Sequence, residues 1–136
     1  MGDEAIATVG RIYDAFARRD FAAIGQLIHP DVEVVYEGIV FDANGTYRGH
    51  QGMGELLAAI VEGFDVDSFD VQVEQLFEAP DGQVVAALHQ RGVGRTSGAP
   101  VEVRIAQAWT IEGGTAVRWH IFRDLAHARE ALGLHD

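Results

Sequence analysis

The stretch VRIAQAWTIEGGTAVRWHIFRD, residues 103–124, decides the fold. Two alternating runs flank Gly113-Gly114, and two glycines suit the tight tip of a β-hairpin, where backbone φ must be positive. With the tip there, Gln107 pairs with His120, Trp109 with Arg118, Ile105 with Phe122 and Val103 with Asp124. One face then reads Val103, Ile105, Gln107, Trp109, Ile111, His120, Phe122 and Asp124. That face is apolar enough to be core, yet it carries an amide, an imidazole and a carboxylate. Such groups are costly to bury without partners, so the face is expected to line a cavity.

Upstream of the hairpin, Ile6, Val9, Tyr13 and Phe16 recur at helical spacing and predict an amphipathic helix over roughly 3–19. Asp20 is placed to cap a second helix through Phe21, Ile24, Leu27 and Ile28, which His29-Pro30 ends. A strand follows at 32–37. Residues 38–54, rich in glycine, read as a loop near a pocket mouth, and a third helix runs from about 51 to 64. Strands are expected at 68–78 and 84–96, then the hairpin, then a short helix at 125–132 with Asp124 as its cap. A tight turn at Gly98-Ala99 pairs Gln90 with Gln107 and Arg95 with Glu102, sending His89 and Arg91 away from the pocket; a one-residue slip reverses this. The expected architecture is a single α+β domain over residues 1–136, with helices gathered on the concave face of a curved, mainly antiparallel sheet.

Composition narrows the chemistry. Twenty-one acidic against ten basic residues give a formal charge of −11, which repels phosphate backbones and anionic lipid. Nucleic acid and membrane are therefore not expected partners, and an acidic start with no long apolar run points to the cytoplasm. The chain has neither cysteine nor lysine, which excludes disulfides, thiol nucleophiles and Schiff bases. The six histidines show no metal-ligand spacing, and no glycine-rich phosphate loop occurs, so neither metal nor other cofactor is expected. What remains is proton transfer and hydrogen bonding by Asp, Glu, His, Tyr and Arg.

Several segments together resemble the nuclear transport factor 2-like superfamily. They are Ile12-Tyr13-Asp14-Ala15-Phe16, Leu27-Ile28-His29-Pro30-Asp31-Val32, Tyr47-Arg48-Gly49-His50-Gln51-Gly52, and Val117-Arg118-Trp119 leading to Asp124 and Ala131-Leu132-Gly133. This is the cone-shaped α+β fold of ketosteroid isomerases, scytalone dehydratase, limonene epoxide hydrolase and SnoaL-like polyketide cyclases. The resemblance implies an oxyanion-binding role at Tyr13. It places Gln107 where the ketosteroid isomerases keep a protonated aspartate, and their base near Tyr36-Glu37, which disfavours a steroid isomerase. SnoaL-like cyclases are similar in ending on an aspartate before a helix finishing in Leu-Gly, which implies a general acid/base at Asp124.

Two readings of the candidate residues follow. In the first, the chain is a cofactor-free isomerase, cyclase, dehydratase or hydrolase acting on a hydrophobic, oxygen-bearing molecule. Asp124 moves the proton, its pKa raised by an apolar strand end; Tyr13, Gln107 and His120 hold the oxygen; Trp109 and Phe122 wall the cavity, joined by Phe16, Tyr36 and His50. His120 and Asp124 are about 13 Å apart along the strand and cannot form a dyad. In the second, the same fold binds a ligand or assembles without catalysis, Asp124 only caps its helix, and the polar residues only satisfy one another. The other sheet face, with Ala106, Ala108, Trp119 and Ile121, is expected to pair two copies into a homodimer.

Overall fold

Helix α1 (Gly2–Ala17) turns the fully buried Val9, Ile12 and Ala15 to one side, with Tyr13 and Phe16 flanking them. The computed structural model describes residues 2–38 and 41–134. The helix ends where Arg19 takes a left-handed conformation at φ 53° and the Asp20 amide returns to the Ala15 carbonyl at 2.9 Å. Asp20 then caps α2 (Phe21–Leu27), accepting from the Ala23 amide at 3.1 Å. Strand β1 (Ile28–Glu37) follows without a linker. Pro30 lies in its irregular stretch, between the Ile28↔Ala116 and Glu33↔Arg118 pairs, where a missing N–H breaks no regular ladder.

The segment read as a pocket-mouth loop holds a strand. Within it β2 (Gly45–Arg48) pairs antiparallel with β1, and Arg48 bonds Glu33 across the pair at 2.9 Å. Ile39 and Val40, in the same segment, lie outside the described residues. Helix α3 (Gly49–Val61) starts on Gly49 at φ 71°, where a Cβ would also come within 3.2 Å of the Pro30 carbonyl oxygen. Strands β3 (Asp70–Glu78), β4 (Val84–Val93), β5 (Pro100–Glu112) and β6 (Thr115–Phe122) complete a sheet of order β2-β1-β6-β5-β4-β3, antiparallel except for β1 with β6.

The hairpin tip is as expected, with Gly113 and Gly114 at φ 59° and 80°. Its register is not. Glu112↔Thr115 and Ile111↔Ala116 follow the two-residue turn, but Thr110 then pairs with Arg118, leaving Val117 as an extra residue in β6. This bulge exchanges the two faces of β6 relative to β5. Trp109 therefore opposes Trp119, and Gln107 opposes Ile121. The expected pairs Gln107 with His120, Trp109 with Arg118 and Ile105 with Phe122 do not form, and β6 ends before Asp124 reaches Val103. On the β4 side Gln107 pairs with Ala86 and Gln90 with Val103, so the expected partner is displaced but the facing is kept.

Two layers of packing result. Val34 and Tyr36 of β1, Trp119 and Ile121 of β6, Trp109 of β5 and Val84 of β4 meet helices α1, α2 and α3 on the concave side. On the other side Ala106, Ala108 and Phe122 lie under Ala128, Leu125 and Leu132, placing α4 (Leu125–Ala131) opposite the other helices. Not all helices share the concave face, and the apolar outer face expected to pair two copies is different in substance. Trp119 and Ile121 point inward, while Ala106 and Ala108 are covered by the chain's own last helix. No helix among the described residues is long and apolar enough to cross a membrane.

Candidate functional site

Between α1, α3 and the concave sheet face lies a cavity of about 420 Å³. Phe16 and Leu57, Ile60 and Val61 form its helical wall; Tyr36, Leu88, Val103, Ile105, Trp119 and Ile121 form its sheet wall. It opens beside Phe21, which is 75% exposed, and beside Val71 and the ion pair between Arg91 and Asp70 at 3.1 Å. Gly38 closes tightly on the ring of Tyr36, where a Cβ would come within 2.2 Å.

A hydrogen-bonded group of four side chains builds the inner wall. The Trp109 indole N–H donates to the Tyr13 hydroxyl at 2.8 Å, and that hydroxyl donates to Gln107 Oε1 at 2.6 Å. The Trp119 indole N–H donates to the same Oε1 at 3.0 Å. Trp109 and Trp119 stack at 4.6 Å between centroids, and Tyr13 meets Trp109 edge-on at 5.7 Å. Burial pushes the Tyr13 hydroxyl well above the usual phenol range, against a smaller opposing pull from the Trp109 hydrogen bond. Tyr13 is thus a neutral phenol at any ordinary pH and acts as a hydrogen-bonding hub.

Of the residues singled out from sequence, the structure brings Tyr13, Gln107, Phe16 and Tyr36 to this cavity. Trp109 is fully buried behind the lining, supporting Tyr13. The bulge sends His120 and Phe122 to the outer side, where His120 stacks on Phe122 at 3.9 Å and bonds Glu37 at 2.6 Å. His50 is held away from the cavity lining, donating from Nε2 to the Ile28 carbonyl at 2.7 Å. His89 faces outward and pairs with Glu102.

Asp124 caps α4, accepting from the His127 amide at 2.8 Å and meeting His127 Nδ1 at 2.7 Å. The amide bond, then the imidazole contact, hold its carboxyl below the usual range, the reverse of the expected rise. A carboxylate whose pKa falls on folding stabilises the fold fully above its unfolded pKa and loses that contribution as pH falls through the folded one. Asp124→Ala should therefore cost about 1 kcal/mol at neutral pH. The gap from the native protein should close as pH drops below about 4, in urea titrations at both pH values.

Sequence reasoning missed Trp119 and Ile121 as lining residues, because it assigned them to the other face. A usable signal was the pairing itself, since only the bulged register sets Trp109 against Trp119, a favoured aromatic cross-strand pair. Among the described residues no group of three or more His, Cys, Asp or Glu could hold a metal ion. The described lining carries Asp70 as its acidic side chain and no histidine.

Residues 9–119 match the model of the SnoaL-like domain family. No curated protein matches the chain. Among solved structures it is similar to TerC co-crystallised with polyporic acid, at 24% identity over 96% of this chain and 98% of that one, with a TM-score of 0.75. It is also similar to an NTF2-like protein of Burkholderia thailandensis E264, at 26% identity over 93% and 95%, TM-score 0.74. A protein of Jannaschia sp. CCS1, classed provisionally as a SnoaL-like polyketide cyclase, aligns at 20% identity over 98% and 94%, TM-score 0.72. These likenesses agree with the curved, unclosed sheet and establish the nuclear transport factor 2-like fold.

Proposed function

The chain belongs to the SnoaL-like domain family, and from that premise we propose that its cavity binds a small, hydrophobic, oxygen-bearing molecule. The observation that carries this reading is the cavity itself: about 420 Å³ of largely apolar space ending on the Tyr13–Gln107–Trp119 group. Apolar walls supply affinity, and one buried polar end orients the guest. The co-crystallisation of TerC with polyporic acid is in keeping with a small organic ligand in this fold.

Between the two readings, the geometry favours binding without proton transfer. Asp124 serves α4 on the outer side with a lowered pKa, and Tyr13 is a neutral phenol occupied by Gln107. A general acid/base needs reach to the substrate and a pKa near the working pH, and neither residue offers both.

A thermal-shift screen against aromatic polyketides, terpenoid epoxides, steroids and simple enones tests the proposal. A ligand at a hundredfold its Kd adds about 2.7 kcal/mol of stability, a readily visible rise in Tm for a chain of this size. The rise should disappear in Leu57→Trp, which fills the helical wall of the cavity. A shift of equal size in that variant would place the ligand elsewhere and overturn the reading.

A further inference from the structure

The amide of Gln107 has a fixed orientation, and that orientation specifies the chemistry of the ligand. An indole N–H can only donate, so the Gln107 atom facing Trp119 must be the acceptor, Oε1. Tyr13 is compatible with that orientation: its oxygen accepts from Trp109 and its proton goes to the same Oε1. Two donors converge on one oxygen, and flipping the amide would set the indole N–H of Trp119, which cannot accept, against an NH2 group.

The nitrogen is left over. Gln107 is 6% exposed and lines the cavity, yet among the described residues its Nε2 has no hydrogen-bond partner. Every fully buried side-chain polar atom among those residues is partnered, so Nε2 must be one that opens on the cavity. A donor held rigidly at the end of an apolar pocket, with no protein acceptor, asks for one from the guest.

We infer that Gln107 Nε2 is the polar recognition point of the cavity and that the ligand meets it with a neutral carbonyl-class oxygen. The inference rests on the reading of the cavity as a small-molecule site. Neutrality follows from the side chains around Nε2: Tyr13, Gln107 and Trp119 are uncharged, and the arginines of the lining, Arg19 and Arg91, already have partners, so a carboxylate placed there would be a buried charge without a free counter-ion beside it. A group offering only hydrogens, such as an ammonium, would meet Nε2 donor to donor. Gln107 is the binding residue; Tyr13 and Trp119 are positioning residues that keep its nitrogen turned to the guest.

Matched pairs that differ only in C=O against CH2 test this by isothermal titration: fluorenone with fluorene, and benzophenone with diphenylmethane. The native protein should bind each ketone about tenfold more tightly than its hydrocarbon. Gln107→Met should erase that ratio while leaving hydrocarbon affinity in place. Trp119→Phe, which removes one of the two donors that pin Oε1, should shrink the ratio without erasing it. Should Gln107→Met fail to fold, the ratios in the native protein and in Trp119→Phe decide the matter. Equal affinity for ketone and hydrocarbon in the native protein overturns the inference and leaves the cavity reading standing. No binding by any of the four compounds overturns both.

Discussion

Trp119→Ala should lower stability by about 3–5 kcal/mol, the usual cost of truncating a large buried aromatic side chain. The indole is 4% exposed, stacks on Trp109, touches Phe16 at 5.8 Å between centroids and supplies one of the two donors to Gln107. The neighbouring change His120→Ala should cost about 1 kcal/mol, because its hydrogen bond goes to a carboxylate on an exposed residue. Urea denaturation of the two variants compares the two faces of β6 directly. The regular hairpin register predicts the opposite order, with His120 inside and Trp119 outside. A larger loss at His120 than at Trp119 would show that the Val117 bulge is not how this strand sits.

Trp109→Ala should be as damaging, about 3–5 kcal/mol, because this ring has no exposure and lies behind the cavity wall. Its loss also removes the hydrogen bond that its indole N–H donates to the Tyr13 hydroxyl. The two tryptophan truncations should not add. Their stacked rings contribute about 0.5–1.5 kcal/mol beyond burial, and the double variant loses that contact once rather than twice. Stability measured across the four members of the cycle gives the coupling. Strict additivity would mean that the stack contributes nothing beyond the area each ring buries.

How far the fold could be read from sequence depends on which physical signal set each element. The helices follow from apolar spacing and caps: Val9, Ile12 and Ala15 turned inward as a periodic face requires, and Asp20 and Asp124 both accept the amide hydrogen bonds expected of caps. Strand β2 was illegible because four residues, glycine among them, carry no periodicity and are defined only by pairing with β1. The hairpin tip was legible and its register was not. Glycine chemistry fixes the turn within a few residues, whereas the bulge at Val117 answers to a global demand, the burial of two indoles against α1 and α3.

The candidate site was legible where it depended on residues that keep their face under either register. Tyr13 and Phe16 belong to a helix, and Gln107 and Trp109 lie on the strand whose facing the bulge does not alter. His120, Phe122 and Asp124 all lie beyond the bulge, and all three moved to the other side of the sheet for the same reason. One unpaired residue thus decides whether β6 gives the pocket His120 and Phe122 or Trp119 and Ile121 beside Gln107.

The stack of Trp109 on Trp119 gathers both tryptophans of the chain into one place, with one ring enclosed and the other facing the cavity. Their transitions are coupled, and any guest that touches Trp119 perturbs the pair. The tryptophan bands of the near-ultraviolet circular dichroism and the tryptophan emission of this protein therefore report on a single locus, so that filling or emptying the cavity is an optical event needing no added label.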